Sequence, residues 1–157
     1  MTTSMIVRST ALDVVDVTLV ADTNAYADND VLAVPQEVHS VFLEAGGTRL
    51  LHSVMLLDEA DQGQDIDLLF FNADATLGTI NSAVSISDAD ARKLIGKVSI
   101  VQADYSDLVN SQFASKGDLN MVLKAADPSA SLWIGAVVRS GTPTYAADSI
   151  KLKLGLA

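Results

Sequence analysis

Hydrophobic residues recur at every second position along much of the chain, a period that is typical of half-buried β-strands. The last segment, Ser149–Leu156, alternates isoleucine or leucine with lysine, so that one face is apolar and the other is charged. The segments Leu119–Ala125 and Ser131–Arg139 show the same period, although the second is less polar on its outer face. This alternation predicts a set of short antiparallel strands.

Turn signals divide the chain into strands. Ala45-Gly46-Gly47 and Asp61-Gln62-Gly63 are expected to link three consecutive antiparallel strands, and similar turns precede the last three strands. The predicted strands are Asp13–Val20, Glu37–Glu44, Thr48–Asp58, Ile66–Phe71, Lys97–Ala103, Leu119–Ala125, Ser131–Arg139 and Ser149–Leu156. Short strands with turns every ~8–12 residues predict an all-β fold, an antiparallel β-sandwich or jelly roll.

One strand departs from the alternation. In Leu50–Leu57 both faces carry aliphatic side chains, which predicts that both faces are covered, by a second sheet or by another subunit.

A single short helix is predicted at Asp88–Ile95. Ser87 is a favourable N-cap with Asp90 three residues later, and Gly96 can take the C′ position. We expect this helix to close one end of the sandwich.

The acidic stretch Asp22–Asp30 predicts a loop, which would mark the boundary between an N-terminal segment and the rest of the chain. The expected organisation is an N-terminal strand or arm over residues 1–21, followed by a single β-sandwich domain over residues 22–157.

Charge and composition exclude several classes of function. The chain has 157 residues, with 20 Asp and Glu against 10 Lys and Arg, and a formal net charge of -10. Few and scattered cations argue against nucleic-acid binding. The absence of cysteine excludes thiolate metal sites and thiol chemistry. Apolar runs such as Leu68–Phe71 are far shorter than the ~20 residues of a membrane helix, and we expect a soluble protein.

Two acidic stretches carry the oxygen ligands that calcium uses. Asp58–Asp65 has a glycine at the sixth position, as in an EF-hand loop, but Ala60 and Leu69 occupy ligand positions, so a turn is favoured. Oxygen ligands also occur at Asp22, Asn24, Asp28 and Asp30, where a solvated loop is favoured over a metal site.

The remaining chemistry gives no catalytic signature. His39 and His52 could become neighbours across the predicted Gly46-Gly47 hairpin as a pH-sensitive pair, although plain strand residues are favoured. No phosphate-binding loop, nucleophile elbow or metalloprotease motif occurs. Any acidic β-protein contains candidates for the paired carboxylates of a glycosidase. Sugar-binding clefts usually display aromatic side chains, however, and aromatics make up only 5% of this chain. We therefore expect a protein that is not an enzyme and uses no cofactor.

Several turns and strand ends resemble a known family. They are Ala25–Val31, Asp61-Gln62-Gly63 followed by Leu68–Asn72, Ile86–Ala91, Ala114-Ser115-Lys116 and Gly141–Tyr145. From about Asp22 to the C-terminus the chain looks like small structural proteins of tailed bacteriophages, most closely those of the capsid decoration or cement type.

The resemblance implies a virion protein on the exterior of the capsid, made in the host bacterial cytoplasm. Its partners would be the major capsid protein and further copies of itself, as a trimer. An acidic surface suits the outside of a DNA-filled shell. The alternatives are a tail or baseplate adaptor of a phage and, less favoured, a small carbohydrate-active or isomerase-like β-sandwich enzyme.

Six residues are predicted at interfaces. Phe71 and Trp133 are strand aromatics that suit a core or a subunit interface. Met5, Ile6, Val7 and Arg8 belong to a segment, Met5–Val20, that is expected to reach the capsid by adding a strand to an exposed sheet edge.

Overall fold

A computed structural model of the chain describes residues 12–157. Ten strands and one short α-helix follow one another along this part of the chain, with a 3₁₀ turn at Gln102–Asp104. The elements are β1 (Asp13–Leu19), β2 (Val31–Val38), β3 (Thr48–Asp58), β4 (Ile66–Phe71), α1 (Asp88–Ala91), β5 (Leu94–Ile100), β6 (Tyr105–Asp107), β7 (Gln112–Lys116), β8 (Met121–Lys124), β9 (Leu132–Val138) and β10 (Ile150–Leu156).

Two antiparallel sheets form a sandwich, which confirms the predicted all-β class. The six-stranded sheet has the order β1-β10-β3-β7-β6, with β8 also paired to β3, and the four-stranded sheet has the order β2-β9-β4-β5. The strong alternation of β10 places Ile150, Leu152, Leu154 and Leu156 in the core between the sheets. Burial of each such side chain contributes roughly 1.5–3 kcal/mol relative to exposure.

The strand β1 belongs to the sandwich itself. It pairs with β10 from Asp13, opposite Leu156, to Leu19, opposite Ile150. Val17 and Leu19 are buried in the main core. The expected division of the chain at residues 21 and 22 therefore does not separate β1 from the domain, and the part of Met5–Val20 that lies in β1 is already paired.

The predicted strand Glu37–Glu44 is wrong. The strand here is β2, which begins at Val31 and ends at Val38, and pairs with β9. Val41 and Phe42 instead turn into the core, where both are buried, so the chain leaves the sheet after β2. The backbone N–H of Phe42 donates to the carbonyl of Ala130 at 3.0 Å, which ties this connection to the one between β8 and β9.

The expected hairpins do not form, although most of the strand positions are correct. The bounds Thr48–Asp58 and Ile66–Phe71 agree with β3 and β4, but β3 lies in one sheet and β4 in the other. The chain also changes sheet between β8 and β9 and again between β9 and β10. The predicted strand Lys97–Ala103 is shifted to Leu94–Ile100, and β6 and β7 were not predicted.

The helix α1 begins where expected and ends early. The Ser87 hydroxyl accepts a hydrogen bond from the Asp90 N–H at 3.1 Å, which confirms the N-cap. Leu94 and Gly96, expected in the helix and its cap, lie in β5 opposite Phe71 and Phe70. A Cβ at Gly96 would meet the flexible Met121 side chain and the Leu123 side chain, because β5 packs closely against β8 at this glycine.

Candidate functional site

The two outer faces of the sandwich differ. On the four-stranded sheet, the connection between β4 and α1 packs over the strands, and its Leu77 is 1% exposed. This cover creates a second small core, made of Val31, Phe71, Leu77 and Val137 with Leu69, Ala75, Val84, Ile86 and Trp133 partly buried around it. The chain therefore covers one outer face of the sandwich with its own residues.

The outer face of the six-stranded sheet carries an apolar stripe that lies outside the core clusters. We call Leu50, Met55, Leu57, Phe113 and Val122 the β3 stripe. Leu50 lies opposite Val122 on β8, and Leu57 lies opposite Phe113 on β7. Val122 is 65% exposed, and the other four are half-buried. The stripe follows the centre of the sheet and can be covered by a flat partner surface.

A bulge in β3 brings Leu50 to the same face as Met55. Ser53 pairs with Gly155, and Leu51 pairs with the next residue, Leu156, so that His52 is an extra residue in β3. Leu51 and Val54 consequently both face the core, where each is fully buried. The prediction that Leu50–Leu57 is covered on both faces is confirmed for the core side only.

Lysines border the β3 stripe in an otherwise acidic protein. Lys151 lies opposite Leu57 and Lys153 opposite Met55, while Lys124 is two residues after Val122. The Lys153 ammonium pairs with the Asp16 carboxylate at 2.7 Å, and the Lys124 ammonium donates to the Gly46 carbonyl at 2.6 Å. Three of the ten basic residues thus surround one apolar stripe, which gives this face a charge pattern unlike that of the chain as a whole.

An open groove of about 470 Å³ lies at one corner of this outer face. It is lined by Leu12, Asp13, Val14, His52, Gly155 and Leu156. Leu12 is 73% and Val14 56% exposed, so the lining is mainly apolar. An Asp13 carboxylate oxygen lies 3.9 Å from the Arg49 guanidinium, and the His52 side chain is exposed.

A second, polar cavity of about 340 Å³ lies beside α1. The Lys93 ammonium donates there to the Asp90 carboxylate at 2.7 Å and to the Asp74 carbonyl at 2.6 Å. These bonds tie the end of the helical turn to the covering connection.

Two of the six predicted interface residues, Phe71 and Trp133, lie in the described part of the chain. Met5, Ile6, Val7 and Arg8 lie outside the described residues. Phe71 is fully buried in the second small core and has no exposed surface for a partner, so it is a core residue. Trp133 is half-buried against the same core.

The two histidines are not paired across a hairpin, because β2 and β3 lie in different sheets. His39 follows β2, and its imidazole Nδ1 lies 3.4 Å from the Glu37 carboxylate at the surface. His52 lines the groove on the six-stranded sheet.

Both acidic stretches use their carboxylates in local hydrogen bonds. Asp22 accepts bonds from the side chains of Asn81 and Asn24 and from the Thr23 N–H, and these bonds lower its pKa. Asp58 is fully buried and accepts from three backbone N–H groups. Within residues 12–157, no three His, Asp or Glu side chains are grouped in a way that could hold a metal ion. Across the same residues, the structure has no helix with the length and apolar character needed to span a bilayer.

No protein-family model matches the chain, and no curated protein matches it. A solved structure titled Desmodium yellow mottle tymovirus is similar to 99% of this chain and 87% of that chain, with 11% sequence identity and a TM-score of 0.29. A likeness at this level carries no argument about fold or role.

Proposed function

We propose that the chain is a virion structural protein of a tailed bacteriophage, a decoration protein that binds the outside of the major capsid protein shell and stabilises it, as a trimer. The observation that carries the proposal is the β3 stripe with its border of lysines, on the one outer sheet face that the described chain does not cover with its own connection. Monomeric proteins rarely leave large apolar patches exposed unless the patch binds something.

The chemistry of this face favours adhesion to another protein. Aliphatic and aromatic side chains supply contact area, and removing their apolar surface from water stabilises the complex. Lys124 would pair with acidic groups of the capsid surface, and Lys151 and Lys153 would share such groups with their present partners Glu59 and Asp16, which sets the orientation of the bound chain and speeds association. Each bound copy then stabilises the assembled shell by mass action, because it binds the closed shell and not its free subunits.

The residues before Leu12 are a second proposed contact with the capsid. They include Met5, Ile6 and Val7, and their only charged side chain is that of Arg8. Because β1 is already paired with β10, the proposed arm is limited to residues 1–11. The proposed role involves contact alone, with no catalytic step and no cofactor.

The test uses capsids that lack the protein and the purified full-length chain. We expect Val122→Asp to weaken binding by at least about tenfold, because it places a carboxylate at the most exposed position of the apolar stripe. The matched control is Leu43→Asp, since Leu43 is 63% exposed but belongs to the connection between β2 and β3 and is not one of the stripe residues. The control is expected to bind like the unmodified chain.

Two further variants divide the proposal into its parts. Lys153→Glu is expected to weaken binding and to reduce its dependence on salt, because one charge pair is lost. Deletion of residues 1–11 is expected to weaken binding without changing the fold.

Equal binding by Val122→Asp and Leu43→Asp would contradict the assignment of the stripe. Binding to tails instead of capsids would make the chain a tail adaptor and contradict the decoration role.

A further inference from the structure

The outer edge of β1 is open along its first half. This strand lies at the end of the six-stranded sheet, and in the described part of the chain it pairs with β10 alone. The Gln36 side chain donates to the Thr18 carbonyl at 2.8 Å and accepts from the Val20 N–H at 3.1 Å, so these two backbone groups point away from β10. Alternate residues of a strand direct their backbone groups to the same side, so Val14 and Asp16 also present theirs to the open edge.

A short additional strand fits the part of this edge that Gln36 leaves free. Unpaired backbone groups at the edge of a sheet are a template for a further strand. The Val14 N–H donates to the Asp13 carboxylate at 2.8 Å, a local bond that an added strand would replace. Leu12 is 73% and Val14 56% exposed, so the edge is bordered by apolar surface. An added strand that is mainly apolar would cover it.

Two carboxylates on β1 differ in how closely a cation approaches them. The Asp16 carboxylate is paired with the Lys153 ammonium at 2.7 Å. The Asp13 carboxylate lies 3.9 Å from the Arg49 guanidinium, and 57% of the Asp13 side chain is exposed. Charged side chains on an edge strand discourage pairing with most other strands. The edge therefore favours a strand that brings a cation to Asp13.

The sequence before Leu12 contains a segment with this composition. Residues 5–8 join methionine, isoleucine and valine to an arginine, and Arg8 is the only charged side chain in residues 1–11. Isoleucine and valine are β-branched and favour extended backbone. The segment therefore has both the strand preference and the positive charge that the edge of β1 calls for.

One antiparallel register satisfies the apolar and the charged contacts together. Placing Arg8 opposite Asp13 brings Val7 opposite Val14, and residues in such pairs lie on the same face of the sheet with Cβ atoms about 5 Å apart. Ile6 would then lie on the core side, next to the partly buried valine that follows Val14 and packs against the main core. The added strand would extend the core on one face and cover exposed apolar surface on the other.

A second copy is the expected source of this strand. To pair with its own β1, the chain would have to reverse within Ser9-Thr10-Ala11-Leu12. The favoured hairpin loops place a residue at positive φ. Most positive-φ positions of the described chain are glycine, asparagine or aspartate, and residues 9–12 include none of these. A segment that continues past the end of β1 without reversing reaches a neighbouring molecule.

We infer that residues 5–8 of one copy add an antiparallel strand to the β1 edge of a second copy, with Arg8 at Asp13. Exchange of a segment between identical chains is a low-cost route to an oligomer, and it forms a ring when each copy gives one segment and receives one. The inference rests on the self-association included in the proposed function and does not depend on capsid binding. The added strand also widens the sheet face that is proposed to meet the capsid.

The first test uses the absence of cysteine in the chain. A full-length Val7→Cys, Val14→Cys double variant is mildly oxidised without capsids and separated on a denaturing gel without reductant. Opposed residues of an antiparallel pair have Cα atoms within the range that a disulfide bridges. We expect covalent dimers and larger species, well above the yield from a Val7→Cys, Leu43→Cys control. Linked monomers in place of covalent oligomers, or equal yields in the two variants, would overturn the inference.

The second test measures what the added strand contributes to association. Val7→Pro removes a backbone donor from that strand and is expected to weaken association by at least about tenfold in sedimentation equilibrium. Thr10→Pro is the control, because it lies outside the added strand and favours extended backbone in the residue before it. It is expected to leave association unchanged. A full-length chain that is monomeric up to millimolar concentration, or equal association by the two variants, would overturn the inference.

The third test examines the charge pair. Arg8→Asp is expected to weaken association by at least about tenfold. The effect is expected to be smaller in an Asp13→Asn chain, because the carboxylate that the new aspartate would repel is then absent. Equal weakening in the two backgrounds would overturn the placement of Arg8 at Asp13. All three tests are made without capsids, so their failure is distinct from failure of capsid binding.

Discussion

Two neighbouring buried tyrosines differ in the hydrogen bonds that their hydroxyl groups make. The rings of Tyr26 and Tyr145 pack with centroids 5.9 Å apart, and both side chains are almost fully buried. The Tyr26 hydroxyl donates to the Leu32 carbonyl at 2.9 Å and accepts from the Asp22 N–H at 2.7 Å. The Tyr145 hydroxyl is buried with no hydrogen-bond partner among the described residues.

This difference predicts opposite outcomes for the same substitution. Tyr26→Phe removes the hydroxyl that pairs with the buried Leu32 carbonyl and the partly buried Asp22 N–H, which costs roughly 1–3 kcal/mol of unfolding free energy. Tyr145→Phe removes only an unsatisfied group, so the free energy of unfolding is expected to stay the same or rise. Chemical denaturation of both variants measures the effect. Comparable destabilisation by the two substitutions would contradict the assigned hydrogen bonds.

At the residue scale, part of the candidate site was visible in the sequence. Leu50–Leu57 is apolar on both sides, which predicts a partner for its outer face, and this strand does carry the exposed stripe. The place of Phe113 in the stripe could not be predicted, because β7 is short and lacks a clear hydrophobic period. For Phe71 the sequence cannot decide between core and subunit interface, since nothing local shows that the connection after β4 covers it.

At the scale of elements, the crossing from one sheet to the other after β3 depends on one carboxylate. Asp58 is the last residue of β3 and is fully buried. Its oxygens accept hydrogen bonds from the N–H groups of Ala60, Gln62 and Gly63 at 2.8–2.9 Å. The side chain therefore holds a turn that redirects the chain into β4.

We expect Asp58→Ala to destabilise the protein strongly. Three partly buried N–H groups would lose their acceptor, and the loss is expected to exceed about 2 kcal/mol. Asp28→Ala is the control, because Asp28 is exposed on a loop and its loss is expected to change stability by less than about 0.5 kcal/mol. A small effect at Asp58, within the range of the control, would show that the turn holds without this carboxylate.

The positions of strands could be predicted from the sequence far better than their partners. A period of two identifies a half-buried strand but says nothing about which neighbour it pairs with, and turns such as Asp61-Gln62-Gly63 look the same in a hairpin and in a crossing between sheets. The strand β2 was missed because Val31-Leu32-Ala33 is a continuous buried run, without the alternation that marks other strands.

At the scale of the whole molecule, all three tyrosines of the chain have raised pKa values. Burial is the main cause for each, and it raises the pKa of Tyr26 to about 12 and shifts those of Tyr105 and Tyr145 further in the same direction. Nearby carboxylates such as Asp58 add to the upward shift for Tyr105 and Tyr145.

These shifts predict a loss of stability in alkali. Unfolded tyrosine ionises near pH 10, whereas the folded groups resist ionisation, so the stability that they contribute is complete below about pH 10 and is lost as the pH rises above it. Tyrosinate absorbance and the β-sheet circular dichroism signal are therefore expected to change together above pH 10. Titration of the tyrosines near pH 10 with the fold intact would contradict their burial.

The asymmetry of the sandwich is a property of the whole molecule that no segment of the sequence reveals alone. Alternating strands predict two sheets, but which outer face stays open depends on where the connection between β4 and α1 packs. The open face combines the β3 stripe, its lysines and the groove, and the proposed adhesive role depends on that combination.

Cryo-electron microscopy of the virus particle that contains the chain tests the central claim most directly, because position and copy number define the role. We predict density for the sandwich on the outside of the capsid, repeated over the shell in hundreds of copies, with the outer face of the six-stranded sheet against the major capsid protein. Density confined to the tail or baseplate, or a shell without the chain, would contradict the account.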